Sequence, residues 1–543
     1  MESVCSTSEP YFMDIPTSTF SNEPLMDFTN PANVDAMHEA LALVKEKAGK
    51  KYPCVIGTQE ISSSSYISSH NPARHKEVVG EVAAATAAQA KQAIEVAHEA
   101  FASWKQVPVK ERALLLQTVA AKLRERKFEF AAWLVTEVSK NWNEAHAEVG
   151  QAIDFCEYYA WQAGRLECPE ELQQPAGESA EWVTSPLGAG VVLAPWNFPL
   201  SILCGTTLAP VVAGNTVVMK PSPRSPVIAA LFFQLLQEAE MPPGVVNFIV
   251  GNDSEIGNAL VDHPLTRFVS FTGSKAVGLQ LHERLGKVPQ GQKHFKRAVL
   301  EMGGKGTIIV DETADLDEAA DNIAVSAFGY QGQKCSACSR VVALTAIHDK
   351  LLQKLVERVG RLLVSDPTSP NIALGALIDE RAYDQAREYL TVGRSEGHLS
   401  SGGIAKKDTG YFMWPTIFAG VKPQSRLSQE EIFAPILTML KARDFNEALQ
   451  IANDTDYGLT GGVFSQNEER LAKAREEFEV GNLYFNRRIT GGFVGSHPLG
   501  GFKLSGDGSK AGGPQYLSNF VQSKVVARAW PQSEAVAALE NER

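Results

Sequence analysis

Three side chains in this chain are of types that can act together in covalent chemistry, and each sits in a short run marked by glycine or proline. Cys335 lies in GQKCSA at 332–337, Glu301 opens EMGGK at 301–305, and Asn197 is enclosed by PWNFP at 195–199. A deprotonated thiol adds to electrophilic carbon, and a carboxylate polarises water. A side-chain amide donates to a developing oxyanion, a contribution of about 3 kcal/mol per donor in enzymes where it has been tested. Each residue also has a plainer reading. A cysteine among apolar neighbours is usually inert packing, and an asparagine between prolines is turn chemistry. A surface glutamate, the plain alternative for Glu301, fits poorly with its place in AVLEMGG. A thiol with its ordinary pKa near 8.5 needs assistance, and the stretch after Cys335 reads as helix-like, which would supply it from a helix N-terminus. Cys338, three positions on, is spaced for a reversible disulfide with Cys335.

These residues need elements to hold them, and the pattern around them is α/β. From 84 to 164 the spacing is helical: Ile94, Ala97, Phe101 and Trp104 form one stripe, and Leu114, Val119, Leu123 and Phe128 a second. Beyond that, short β-branched runs at 190–194, 216–220, 245–250 and 268–271 alternate with helices at 226–240 and 255–261, the order of a parallel sheet. A second series starts near 306 with GTIIVD, continues in a helix from about 315 and runs through 340–344. Two Rossmann-type parallel-sheet units in tandem fit the length of 543 residues. No G-x-G-x-x-G follows a strand. The helix starts after Gly251 and Gly273 are the remaining places where backbone amides and a helix dipole would face phosphate.

The composition excludes several classes. Hydrophobic residues make up 44% and charged residues 21%, enough for large cores and unlike a disordered chain. Lys and Arg total 51 against 63 Asp and Glu, with no basic run, so nucleic acid is not an expected partner. Seven scattered cysteines read as reduced thiols. The first basic residue is Lys45, which argues against a targeting segment and for a bacterial-type cytoplasmic protein. Residues 182–219 carry no formal charge. Pro186, Pro195, Pro199 and Pro210 interrupt that stretch, so buried strands and their connections are expected there and no membrane span. Residues 1–29 read as an arm or a surface strand without assigned function.

With EEIFAP at 430–435, FTGS at 271–274 and HPLGGFKLSG at 497–506, the motif set resembles the aldehyde dehydrogenase superfamily in order and spacing. Within it, QAIDFCEYYA at 151–160, SAFGYQGQKCSA at 326–337, VGNLYFNRRITGG at 480–492 and GDGSKAGGPQYL at 506–517 are similar to the L-glutamate γ-semialdehyde (1-pyrroline-5-carboxylate) dehydrogenases. The resemblance implies Cys335 as the nucleophile that forms a thioester, Glu301 as the base for its hydrolysis, and Asn197 with the Cys335 amide as oxyanion donors. It implies a nicotinamide cofactor near Pro195, Trp196, Lys220, Ser222, Gly251, Gly273, Ser274, Glu431 and Phe433, and no metal. NAD is favoured and NADP left open: Pro223 stands where NAD-preferring relatives have a ribose-binding residue, Ser222 is its substitute, and Arg224 is placed to meet a 2′-phosphate.

Substrate contacts implied by the resemblance are Ser336 and the amides of Gly491 and Gly492, holding an α-carboxylate, with Gln151 facing the ammonium. The chain departs from the branch at Gly492, Leu499 and Gln151, the last replacing a glutamate. The implied reaction is oxidation of L-glutamate γ-semialdehyde in proline breakdown. Another ω-semialdehyde (succinate or glutarate), acyl transfer to coenzyme A and a non-catalytic scaffold are the rivals. The implied architecture is an arm (1–29), a cofactor domain (30–169 and 187–300), a catalytic domain (301–510) and an oligomerisation element (170–186 and 511–543). A homo-oligomer and a proline dehydrogenase partner are the implied associations.

Overall fold

The structure, a computed structural model, describes residues 20–167 and 172–529. Most of the expected arm, 1–19, lies outside the described residues. Its remainder, 20–29, is irregular chain ending in a turn at 28–29 and pairs with no strand.

Five helices follow in the N-terminal part: α1 (Pro31–Lys47), α2 (Ala87–Trp104), α3 (Val109–Glu125), α4 (Lys127–Val138) and α5 (Trp142–Ala163). Their starts are chemical. Asn30 caps α1 ahead of a proline at the first helical position, Thr86 and Gln89 form a reciprocal capping box on α2, and Asn141 accepts from the Glu144 amide to start α5. The Ile94–Ala97–Trp104 stripe is buried as expected, with Phe101 half-buried. The second stripe needs a correction, because Leu114 is 61% exposed and Leu116 takes the buried position. Three consecutive leucines leave the phase of a helix undecided, and the packing of α3 on α5 selects the third.

The first sheet contains β1 (Cys54–Ile56), β2 (Gln59–Ile61), β3 (Ala189–Leu193), β4 (Thr216–Lys220), β5 (Val246–Phe248), β6 (Phe268–Thr272) and β7 (Arg297–Glu301), in the order β7-β6-β3-β4-β5-β1-β2. Its five strands from β7 to β5 are parallel, and β1 and β2 add an antiparallel edge. Helices α6 (Ser201–Val212), α7 (Pro226–Glu238), α8 (Asp253–Asp262) and α9 (Lys275–Leu285) connect the parallel strands. The uncharged stretch is thus the end of the half-buried strand Glu178–Pro186, the buried strand β3, the buried helix α6 and most of β4. Among the described residues no helix is long and apolar enough to cross a membrane.

The second sheet contains β8 (Gly306–Val310), β9 (Cys338–Leu344), β10 (His398–Ser401), β11 (Thr416–Ala419), β12 (Ile436–Ala442), β13 (Thr460–Phe464) and β14 (Asn482–Phe485), in the order β10-β11-β12-β9-β8-β13-β14. Only β10 is antiparallel to its neighbour. Helix α10 (Leu316–Phe328) returns from β8 toward β9. Two α/β sheets of seven strands therefore stand in sequence, as the alternating pattern predicts. Apart from them, Glu178–Pro186 and Val521–Ala529 form a two-stranded antiparallel ribbon, the first strand mostly half-buried and the second exposed beyond Val521.

The helix expected after Cys335 is absent. The chain turns at 334–336 and enters β9, whose run CSRVVAL is buried between β8 and β12; the helix of this region, α10, comes before the cysteine.

Candidate active site

Two loops meet at the expected chemistry, one from each sheet. The turn after β3 carries Pro195, Trp196 and Asn197 before α6 begins, and the turn before β9 carries Cys335. Buried Asn197 donates from Nδ2 to the backbone carbonyl of Gln333 at 3.0 Å, which leaves the second amide hydrogen for another acceptor near Cys335. The approach to Cys335 is backbone under constraint: Tyr330 and Gln331 both have positive φ, 49° and 56°. Side-chain bonds hold them there. The Tyr330 hydroxyl donates to the Val138 carbonyl at 3.1 Å, and Gln331 Nε2 donates to the carbonyls of Ser139 and Ala376. Gly304 of EMGGK lies so close to this turn that a Cβ there would sit 2.1 Å from the Cys335 carbonyl oxygen.

A frame of buried charge lies beneath both loops, and nothing in the motifs indicates it. Lys140 pairs with Glu148 at 2.8 Å, with both side chains fully buried, and its ammonium sits 3.7 Å and 4.0 Å from the ring centres of Phe198 and Tyr330. Glu148 accepts from the amides of Leu200 and Ser201, the first turn after Asn197. One turn earlier on α5, Glu144 takes both of its bonds from Lys334, the neighbour of Cys335, at 2.7 Å. The spacing 144, 148 places the two carboxylates on one line of α5, with Lys140 in the short link before the helix, a signal that was present in the sequence but reads there as a solvated face.

Desolvation pushes the Cys335 thiol up to about 12, and the carboxyls of Glu301 and Glu431 act in the same direction; the Ser336 and Cys335 amides oppose them. Among the described residues no helix begins beside Cys335 to oppose that shift. Glu301 ends β7 in the first sheet, and burial, then the charge of Asp507, holds its carboxyl well above the usual range. Its Oε1 is buried without a hydrogen-bond partner among the described residues. Glu431 is raised to about 7 by burial and accepts from the Gly304 amide at 2.8 Å. Buried Lys305 is lowered to about 7 by desolvation and then by Arg340, and donates to the Glu430 carbonyl. Cys338 lies in the core of the second unit, where its thiol donates to the Arg340 carbonyl at 3.4 Å, so the structure gives no support to a pairing with Cys335.

Of the expected cofactor residues, Pro195, Trp196, Lys220, Ser222, Gly251, Gly273 and Ser274 lie at or just after C-terminal ends of strands of the first sheet, where open parallel sheets bind ligands, and Glu431 and Phe433 come from the segment before β12. Ser274 caps α9 by accepting from the Val277 amide, and the amides of Lys275 and Ala276 have no acceptor among the described residues, a fit for pyrophosphate. Gly251 leads into α8, capped by Asn252. Lys220, at the end of β4, pairs with Asp253 of α8. Trp196 and Phe433 meet edge to face at 5.6 Å, with Phe433 at φ 60°, and give an aromatic wall beside Glu431. Ser222 accepts from the Arg224 amide at 3.3 Å, while the Arg224 guanidinium pairs with Asp379 at 2.9 Å. Arg224 is thus neutralised within the chain, which weighs against a 2′-phosphate.

On the substrate side, the loop 489–497 is tied to α10 by the Ile489 amide donating to Ser326 Oγ, and the Ser336 carbonyl accepts from Thr460 of β13. Gly491 has φ 69°, and neither its amide nor that of Gly492 has an acceptor among the described residues, as an anion-holding pair requires. Gln151 is half-buried on α5, three positions beyond Glu148.

Fold and site together define a thiol-dependent enzyme built on two α/β sheets, and the aldehyde dehydrogenase family matches residues 59–526: the chain belongs to that family. It is 48% identical over 511 residues to 1-pyrroline-5-carboxylate dehydrogenase 1 of Halalkalibacterium halodurans, covering 94% of this chain and 99% of that one. The solved 1-pyrroline-5-carboxylate dehydrogenase from Thermus with bound NAD superposes with a TM-score of 0.93 at 47% identity, covering 95% and 100%. Proline utilization A (PutA) from Bdellovibrio bacteriovorus superposes at 0.92 and 42% identity, with 94% of this chain matching 53% of that longer one.

Proposed function

We propose that this chain oxidises L-glutamate γ-semialdehyde, the open form of 1-pyrroline-5-carboxylate, to L-glutamate with NAD⁺ and water. The observation that carries the reading is the retention of Cys335, Asn197 and Glu301 at one seam, in a chain so similar along its length to 1-pyrroline-5-carboxylate dehydrogenases. The division of labour follows the fold: 30–169 and 187–300 bind the cofactor, 301–510 carry the nucleophile, and 170–186 with 511–543 join copies into a homo-oligomer. The similarity to PutA supports a proline-oxidising partner that supplies the substrate, and a cytoplasmic location is the reading consistent with the bacterial relatives.

The residues act in this order. The Cys335 sulfur, on losing its proton, bonds to the aldehyde carbon; Asn197 and the Cys335 amide hold the resulting oxyanion. NAD⁺, when bound, is the hydride acceptor. Loss of hydride leaves a thioester on Cys335, and Glu301, once ionised, takes a proton from the water that attacks it, releasing the acid and the thiol. Glu301 also favours hydrolysis over acyl transfer to coenzyme A, and the complete constellation argues against a scaffold. Stopped-flow measurement of NADH with glutamate semialdehyde tests the scheme. Cys335→Ala is expected to abolish turnover while retaining NAD binding, and Glu301→Gln to give one burst of NADH per site and then stall. Near-normal turnover by Cys335→Ala would overturn it.

A further inference from the structure

Residues 20–23 lie outside both sheets, yet they tie the substrate-side loop to α5. Asn22 Nδ2 donates to two acceptors, Asp154 Oδ2 on α5 at 2.8 Å and the Val494 carbonyl at 3.0 Å. The Glu23 amide donates to the other Asp154 oxygen at 2.6 Å, and the Glu23 carboxylate pairs with Arg124 at 2.8 Å. Phe20 packs edge to face on Tyr158 of α5 at 5.1 Å. The loop has left no room for a side chain beneath these rings: at Gly495, φ 83°, a Cβ would meet Tyr158 at 3.1 Å and Phe20 at 3.2 Å. Asp154 and Val494 are almost fully buried while Asn22 and Glu23 are half-buried, so these bonds are partly shielded from competing water.

Val494 is two residues beyond Gly492, whose amide and that of Gly491 point to no acceptor among the described residues. A pair of amides holds a carboxylate only if both stay aimed at one point. On the loop's other flank Ile489 is fixed to α10, so Val494 and Gly495 are where the second restraint falls.

We propose that segment 20–23 is a positioning element for substrate selection: through Asn22 it holds the 491–495 loop where its amides bind the carboxylate of the aldehyde. The proposal rests on the reading of Gly491 and Gly492 as the carboxylate anchor. None of residues 20–23 is placed near Cys335 chemistry, so the effect belongs in substrate affinity and not in the covalent steps.

The test compares wild type, Asn22→Ala and Asp154→Asn with glutamate semialdehyde, succinate semialdehyde and pentanal under saturating NAD⁺. Losing the hydrogen bonds of Asn22 is expected to raise KM for both carboxylated aldehydes about fivefold, with kcat within about twofold and pentanal unaffected. Asp154→Asn, which keeps shape but removes the charge that strengthens both bonds, should act in the same direction and less. Hydrogen exchange at amides 491–495 should quicken in Asn22→Ala, while exchange in α5 stays as in wild type. If wild type prefers carboxylated aldehydes and Asn22→Ala keeps the same preference and the same exchange, the positioning role is overturned while the anchor stands. If wild type uses pentanal as well as the carboxylated substrates, the anchor fails and takes the proposal with it. Equal loss on all three aldehydes with a lowered unfolding midpoint would mean a merely structural contact and would also overturn it.

Discussion

At the scale of single residues, the site is poised by burial, not by a neighbouring cation. Cys335, raised to about 12, is almost wholly protonated at neutral pH, and each rise of one pH unit below that value multiplies its thiolate tenfold. Alkylation of the free enzyme by iodoacetamide should therefore climb about tenfold per unit from pH 7 to 10. A plateau near pH 7.5 would show a preformed thiolate and contradict the geometry. Glu301 is shifted in the same direction, so it must release a proton before it can serve as base, and hydrolysis should slow as pH falls through its raised pKa. Gln151 gives a second expectation. A restored carboxylate there should favour a substrate ammonium by about two- to fivefold, the worth of a partly exposed ion pair. Gln151→Glu is then expected to improve kcat/KM for glutamate semialdehyde but not for succinate semialdehyde; parallel changes on both would remove Gln151 from the substrate site. Cys335, Glu301 and Asn197 stood out in the sequence as candidates because their motifs are contiguous. The support beneath them was not, since a lysine just before α5 and two glutamates inside it gain meaning only from the loops that cover them.

At the scale of elements, α5 is the part on which the site is assembled. It presents Glu148 to the Asn197 turn and Glu144 to the Cys335 turn, one helical turn apart, so a shift of the helix moves both. Lys140→Met would leave Glu148 buried without its partner, at a cost of about 3–5 kcal/mol. Adding Glu148→Leu removes the stranded charge, and thermal unfolding of the double variant should recover much of that loss. Its kcat should not recover, because the Leu200 and Ser201 amides still lack their acceptor; return of kcat along with stability would show that the pair supports the fold alone. Elements were legible in proportion to local chemistry. The strand at Thr216–Lys220 was read to the residue because a β-branched run ends at a charge, and the start of α9 was expected after Gly273, where Ser274 caps it. The stretch after Cys335 misled because its strand identity comes from pairing with β8 and β12, which lie far away in the sequence.

At the scale of the whole molecule, the Glu178–Pro186 and Val521–Ala529 ribbon is the feature a single chain does not explain. Val525 and Val526 on it are 56% and 40% exposed, and a long ribbon whose second strand is exposed, with apolar side chains on both faces, invites a second copy. Val525→Asp with Val526→Asp should lower the mass seen by light scattering while leaving the unfolding midpoint of the chain nearly unchanged; an unaltered mass would place the contact between copies elsewhere. The two-sheet plan was readable from the alternation of runs and helices, whereas the seam between the sheets was not. That seam has its own consequence. Glu301 and Asn197 belong to the first sheet and its loops and Cys335 to the second, so Glu301, one of the carboxyls that raise the thiol, faces it only when the halves are docked. An incompletely folded chain would therefore carry a more oxidisable sulfur than the finished enzyme, and peroxide damage would record how often the seam opens. By this arrangement Cys335 meets Asn197 and Glu301 only in the assembled molecule.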